Sequence, residues 1–124
     1  MNIKEAFAIL KNSSRVESRL INEGGEVSRV FHAYSILVKS KNSVELFANL
    51  SKESLTNAGK VYAAIWFFSH DMPSYLKAKA SIMDDEAVEV RIADIVYRLS
   101  MKEVFYKIEN ENLAAHLEMK GLRE

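Results

Sequence analysis

The sequence predicts an all-α fold: a compact array of about six to seven short antiparallel helices in a single domain, residues 1–124, with a minor extended segment near 87–92. Three observations carry this. Paired capping residues recur as Asn2/Glu5, Ser14/Glu17 and Ser100/Glu103, the spacing at which a cap and an acidic side chain satisfy each other's backbone N–H groups. Apolar residues return every three or four positions through most of the chain. The polar stretches between these segments are short, as antiparallel helical neighbours require.

In order along the chain, Asn2 opens a first helix carrying Ile3, Phe7 and Leu10 on one face and ending near Asn12. Ser14 with Glu17 starts a second around Val16, Leu20 and Ile21, stopped by Gly24-Gly25, unless the two form one kinked helix. From Glu26, the positions Val27, Val30, Phe31, Tyr34, Leu37 and Val38 follow the helical period closely. Asn42 or Ser43 caps a shorter helix through Val44, Leu46, Phe47 and Leu50.

Ser54 or Thr56 then opens the most apolar segment, with Val61, Ala64, Ile65 and Phe68 as its expected core stripe. Trp66, Phe67 and Phe68 cannot share one face, because successive helical residues differ by about 100° of azimuth. They predict burial between two neighbouring helices. Pro73 suits the first turn of the next helix, with Asp71 or Met72 at its cap and Tyr75, Leu76 and Ala80 facing inward. Ala87 to Ile92 alternates apolar and charged residues, the period of a half-buried strand without an evident partner. Ser100 and Glu103 cap a helix containing Val104, Phe105 and Ile108. Leu113 and Leu117 mark a last one, after a polar break at 109–112, that stops at Gly121.

Apolar residues at 48% and charged residues at 27% argue for a folded globular chain. The longest apolar run, Val61 to Phe68, is far short of a membrane span. With no basic, apolar leader at the amino terminus, a cytoplasmic location is expected. Acidic and basic side chains cancel, so no global field favours direct binding of nucleic acid or membrane. Charge is uneven locally: Asp84, Asp85, Glu86, Glu89 and Asp94 outnumber Arg91 and predict an acidic surface.

No motif announces catalysis. His32, His70 and His116 lack the spacing of metal ligands, so neither metal nor cofactor is expected. Asn57-Ala58-Gly59-Lys60 lacks the earlier glycine and following hydroxyl of a phosphate loop; Gly59 reads instead as a point of close backbone approach. The pair His70-Asp71 has the composition of a catalytic dyad, but no nucleophile is placed beside it.

The run Thr56-Asn57-Ala58-Gly59-Lys60-Val61-Tyr62-Ala63-Ala64, followed by the acidic loop and Val88-Glu89-Val90, resembles small helical bacterial immunity proteins, including those of contact-dependent growth inhibition. The resemblance covers the central third, Leu55 to Ile92. It implies a non-enzymatic, cytoplasmic protein that neutralises a cognate bacterial toxin domain, expected to be a ribonuclease or another nuclease, by occluding its active site.

The residues expected to make that contact are Asp84, Asp85, Glu86, Glu89 and Asp94, with His70, Asp71 and Tyr75 beside them. Two other readings compete. One is a helical adaptor that holds a partner helix or peptide in an apolar groove near Trp66 and Phe67. The other is a small hydrolase centred on His70 and Asp71.

Overall fold

The computed structural model describes residues 1–21, 25–83 and 85–119, and it corrects the fold class. The protein is α/β: its described residues form seven helices and a four-stranded mixed sheet. The helices are α1 (Ile3–Lys11), α2 (Arg29–Lys39), α3 (Ser43–Glu53), α4 (Asn57–His70), α5 (Met72–Ala80), α6 (Met101–Asn110) and α7 (Leu113–His116). The strands are β1 (Arg15–Ile21), β2 (Glu26–Val27), β3 (Ala87–Ala93) and β4 (Ile95–Ser100), in the order β2-β1-β3-β4. The central pair, β1 and β3, is parallel, and the two outer pairings are antiparallel.

The largest departure from expectation is β1, which occupies the place of the second helix. Arg15, Glu17 and Arg19 alternate with Val16, Ser18 and Leu20, and this period of two decides the outcome because β3 supplies a partner. Val16 and Ser18 are buried. Ser14 and Glu17 therefore do not cap a helix. Glu17 accepts a hydrogen bond from Ser28 Oγ at 2.7 Å, and its backbone N–H donates to the Tyr62 hydroxyl at 2.8 Å.

The β1–β3 register shifts between Glu17 and Ile21, and Ser18 Oγ bridges the gap by accepting from Ala93 N–H and donating to Leu20 C=O. The extended segment at 87–92 is a full strand, paired on both sides. β4 was not anticipated. Gly24 and Gly121, the expected helix stops, lie outside the described residues.

Most helix starts follow their capping residues. Asn2, Ser28, Thr56 and Asp71 each accept a backbone N–H at the opening of α1, α2, α4 and α5, and Ser100 with Glu103 completes a capping box on α6. α2 thus begins after Ser28, because Glu26 and Val27 pair with β1.

α4 is the spine of the molecule: every residue from Ala58 to Phe67 except Lys60 is buried. Its start lies against α1 so closely that a Cβ on Gly59 would sit 2.7 Å from Leu10 O and 2.6 Å from Ser54 Oγ. Only glycine fits there without displacing backbone. On α5, Tyr75 and Ala78 turn inward, whereas Leu76 and Ala80, expected on that face, are exposed.

Candidate protein-binding surface

The residues expected to form one acidic surface are separated by β3. Asp85 and Glu86 precede the strand and Asp94 follows it, so the strand rise sets the two ends roughly 20 Å apart. Asp84 lies outside the described residues. Glu89, in mid-strand, is engaged: Arg15 Nε donates to its Oε1 at 2.7 Å. That hydrogen bond and charge hold the Glu89 carboxyl below its ordinary range, with a further contribution from Arg98, and raise the Arg15 guanidinium.

The pairing follows from the sheet. Arg15 on β1, Glu89 on β3 and Arg98 on β4 stand directly opposite one another, forming a base–acid–base rung on the face away from buried Val16, Val88 and Val90. Asp85, Glu86 and Asp94 are exposed and have no ion-pair partner among the described residues.

At the α4–α5 corner, the three other expected contact residues serve the fold. His70 stacks on Trp66 with ring centroids 4.3 Å apart, and its Nδ1 lies 2.9 Å from Trp66 O. Asp71 caps α5, accepting from Ser74 N–H and, at 2.7 Å, from Ser74 Oγ. The carboxylate therefore holds a helix end and does not orient the imidazole. Tyr75 is buried, and its hydroxyl donates to Glu109 at 2.6 Å, an oxygen that also accepts from Lys79 Nζ at 2.6 Å. Lys79 and Tyr75, in that order, lower the Glu109 carboxyl, while burial and Glu109 push the Tyr75 phenol up.

Trp66 and Phe67, expected beside an apolar groove, are themselves buried, Trp66 between Phe47 and His70. Two other apolar features are exposed. One lies at the acidic end of β3, where Leu76 and Met83, 58% and 66% exposed, share a shallow depression with Ile82, Lys79 and Asp85. Sequence periodicity had assigned Leu76 to the interior; its exposure follows from Tyr75 and Ala78 setting the buried face of α5.

The second feature is a groove of about 330 Å³ floored by Val90, Ile92, Tyr97 and Leu99, with Glu103 and Lys107 at its rim. It runs beside the outer strand β4, whose residues Ile95, Val96 and Tyr97 are all exposed. Alternating charge in β3 was readable, but without a predicted β4 neither this groove nor the charged rung could be placed.

Among the described residues, no three His, Cys, Asp or Glu side chains gather as a metal-binding group. No described helix is long and apolar enough to cross a membrane. No known protein family, curated protein or solved structure matches the chain.

Proposed function

We propose that the chain is an immunity-type binding protein that neutralises a bacterial toxin domain by covering a cationic active site, as a nuclease presents to its substrate. The observation that carries this reading is the surface at the end of α5: exposed Leu76 and Met83 beside Asp85, with Glu86 on the same loop. Apolar anchors with a charged rim are the anatomy of a protein interface, in which the anchors supply affinity and the carboxylates supply steering and orientation. The rigid base for this surface is supplied by Tyr75, whose bond to Glu109 fastens α5 to α6. In this reading no bond is made or broken by the chain; it displaces substrate from the toxin.

The experiment is a search of the neighbouring reading frames for a carboxy-terminal toxin domain and co-purification of the chain with any such domain, followed by association kinetics. The doubly reversed variant Asp85→Lys/Glu86→Lys should slow association about tenfold at low salt and much less at high salt, because the Debye length shrinks to about 3 Å at 1 M. Leu76→Asp should instead speed dissociation. A wild-type chain that neither binds nor inhibits that domain would remove the proposal, and equal kinetics in the Asp85→Lys/Glu86→Lys variant would remove this surface from it.

A further inference from the structure

We infer that the outer edge of β4 pairs with β4 of a second copy of this chain, joining two four-stranded sheets into one. A strand at the end of a sheet turns alternate N–H and C=O groups outward, and soluble proteins protect such edges with lysine, proline, bulges or covering elements. Among the described residues, none of these lies along Ile95-Val96-Tyr97 of β4, which are 52%, 41% and 43% exposed.

What selects a second copy is the order of chemistry from the β3–β4 turn, where Asp94 lies, into the strand. Asp94-Ile95-Val96-Tyr97-Arg98 reads acid, three apolar residues, base. Two copies laid antiparallel about a two-fold axis at Val96 place each Ile95 opposite the partner's Tyr97 and Val96 opposite itself, and bring each Asp94, the turn residue just before β4, beside the partner's Arg98. The register keeps faces matched, since residues two apart in a strand lie on the same side.

The charged rung reaches the same answer independently. Arg15, Glu89 and Arg98 alternate in sign across β1, β3 and β4 and leave a base at the edge. The partner's Asp94, at the end of its β3–β4 turn, would lie within reach of that base. Its neighbour, the rung of Glu17, Arg91 and Val96, ends apolar and meets the partner's Val96. On the opposite face, Val90 lies beside Tyr97 and Ile92 beside Ile95, so the new contacts extend two apolar rows. This inference does not depend on toxin binding, because Asp85 and Glu86 lie at the other end of β3.

The test is sedimentation equilibrium of the full chain, with thermal melts to confirm folding. The wild type should dimerise with rising concentration. Asp94→Arg alone sets arginine against arginine, and Arg98→Asp alone sets aspartate against aspartate; each should raise the dimer Kd about tenfold or more. An equimolar mixture of these two variants restores opposite charges at both positions and should form a heterodimer. Val96→Lys, which opposes two lysines at the axis, should also be monomeric. A monomeric wild type, or a dimer indifferent to Val96→Lys and to the charge variants, would overturn the inference.

Discussion

α4 and β4 are two apolar segments with opposite surroundings. α4 holds Val61 to Phe67 completely buried, walled by α1, α3, α5 and the sheet, and even its glycine is pressed against Leu10 and Ser54. β4 is held at one edge by β3 and leaves Ile95, Val96 and Tyr97 open to water. The difference teaches that apolar composition identifies what needs a partner, whereas the number of surrounding elements decides whether the chain supplies it. α4 spends its side chains on stability; β4 keeps its own available for association.

The sharpest way to break this contrast is to truncate one side chain in each segment. Trp66→Ala removes a ring stacked on Phe47 at 4.8 Å and on His70 at 4.3 Å. It should cost about 3–5 kcal/mol in urea unfolding, the range for buried aromatic truncations. Ile95→Ala should change stability by no more than about 0.5 kcal/mol when measured dilute enough to hold the chain monomeric. Comparable losses would mean that β4 is as deeply committed to the fold as α4.

A smaller effect is expected where the two architectures meet. Tyr62, fully buried on α4, accepts the Glu17 N–H of β1, a group facing the stretch where the β1–β3 register shifts. Tyr62→Phe keeps the ring and deletes the acceptor. The orphaned N–H should cost about 1–3 kcal/mol and increase amide exchange at Glu17 relative to the rest of β1. Unaltered exchange there would show that the helix does not support the strand at this point.

The same junction explains what could be read from residues alone. Helix starts were legible because a cap and its N–H lie within three residues, as at Asn2, Thr56, Asp71 and Ser100. β1 was not, because Ser14 and Glu17 imitate a capping box while the strand that makes Arg15–Ile21 extended lies far along the chain. Local signals compete on equal terms until a distant partner arrives, and the hydrogen-bond ladder then settles the matter. The acidic side chains were legible as a cluster in sequence. Their division was not, since a strand spreads residues that a loop or helix would gather, and Arg15, the partner of Glu89, was hidden inside an expected helix.

The smallest expected effect lies on the seam between α5 and α6, where Glu109 on α6 accepts from Lys79 and Tyr75 on α5. These donors lower the folded-state carboxyl below its ordinary value of 4.5, so the folded state releases that proton more readily than the unfolded chain does. The resulting stabilisation is complete above pH 4.5 and disappears as pH falls through the lowered value. Water reaches the pair, which limits it to about 0.5 kcal/mol. Glu109→Gln should be less stable than wild type by that amount at neutral pH, and urea melts on descending pH should bring the two curves together in the acid range. A gap that stayed constant with pH would assign the seam to packing of Tyr75 and Phe105, whose rings meet edge-on at 6.1 Å, and would leave the carboxylate no electrostatic part in joining the two helices.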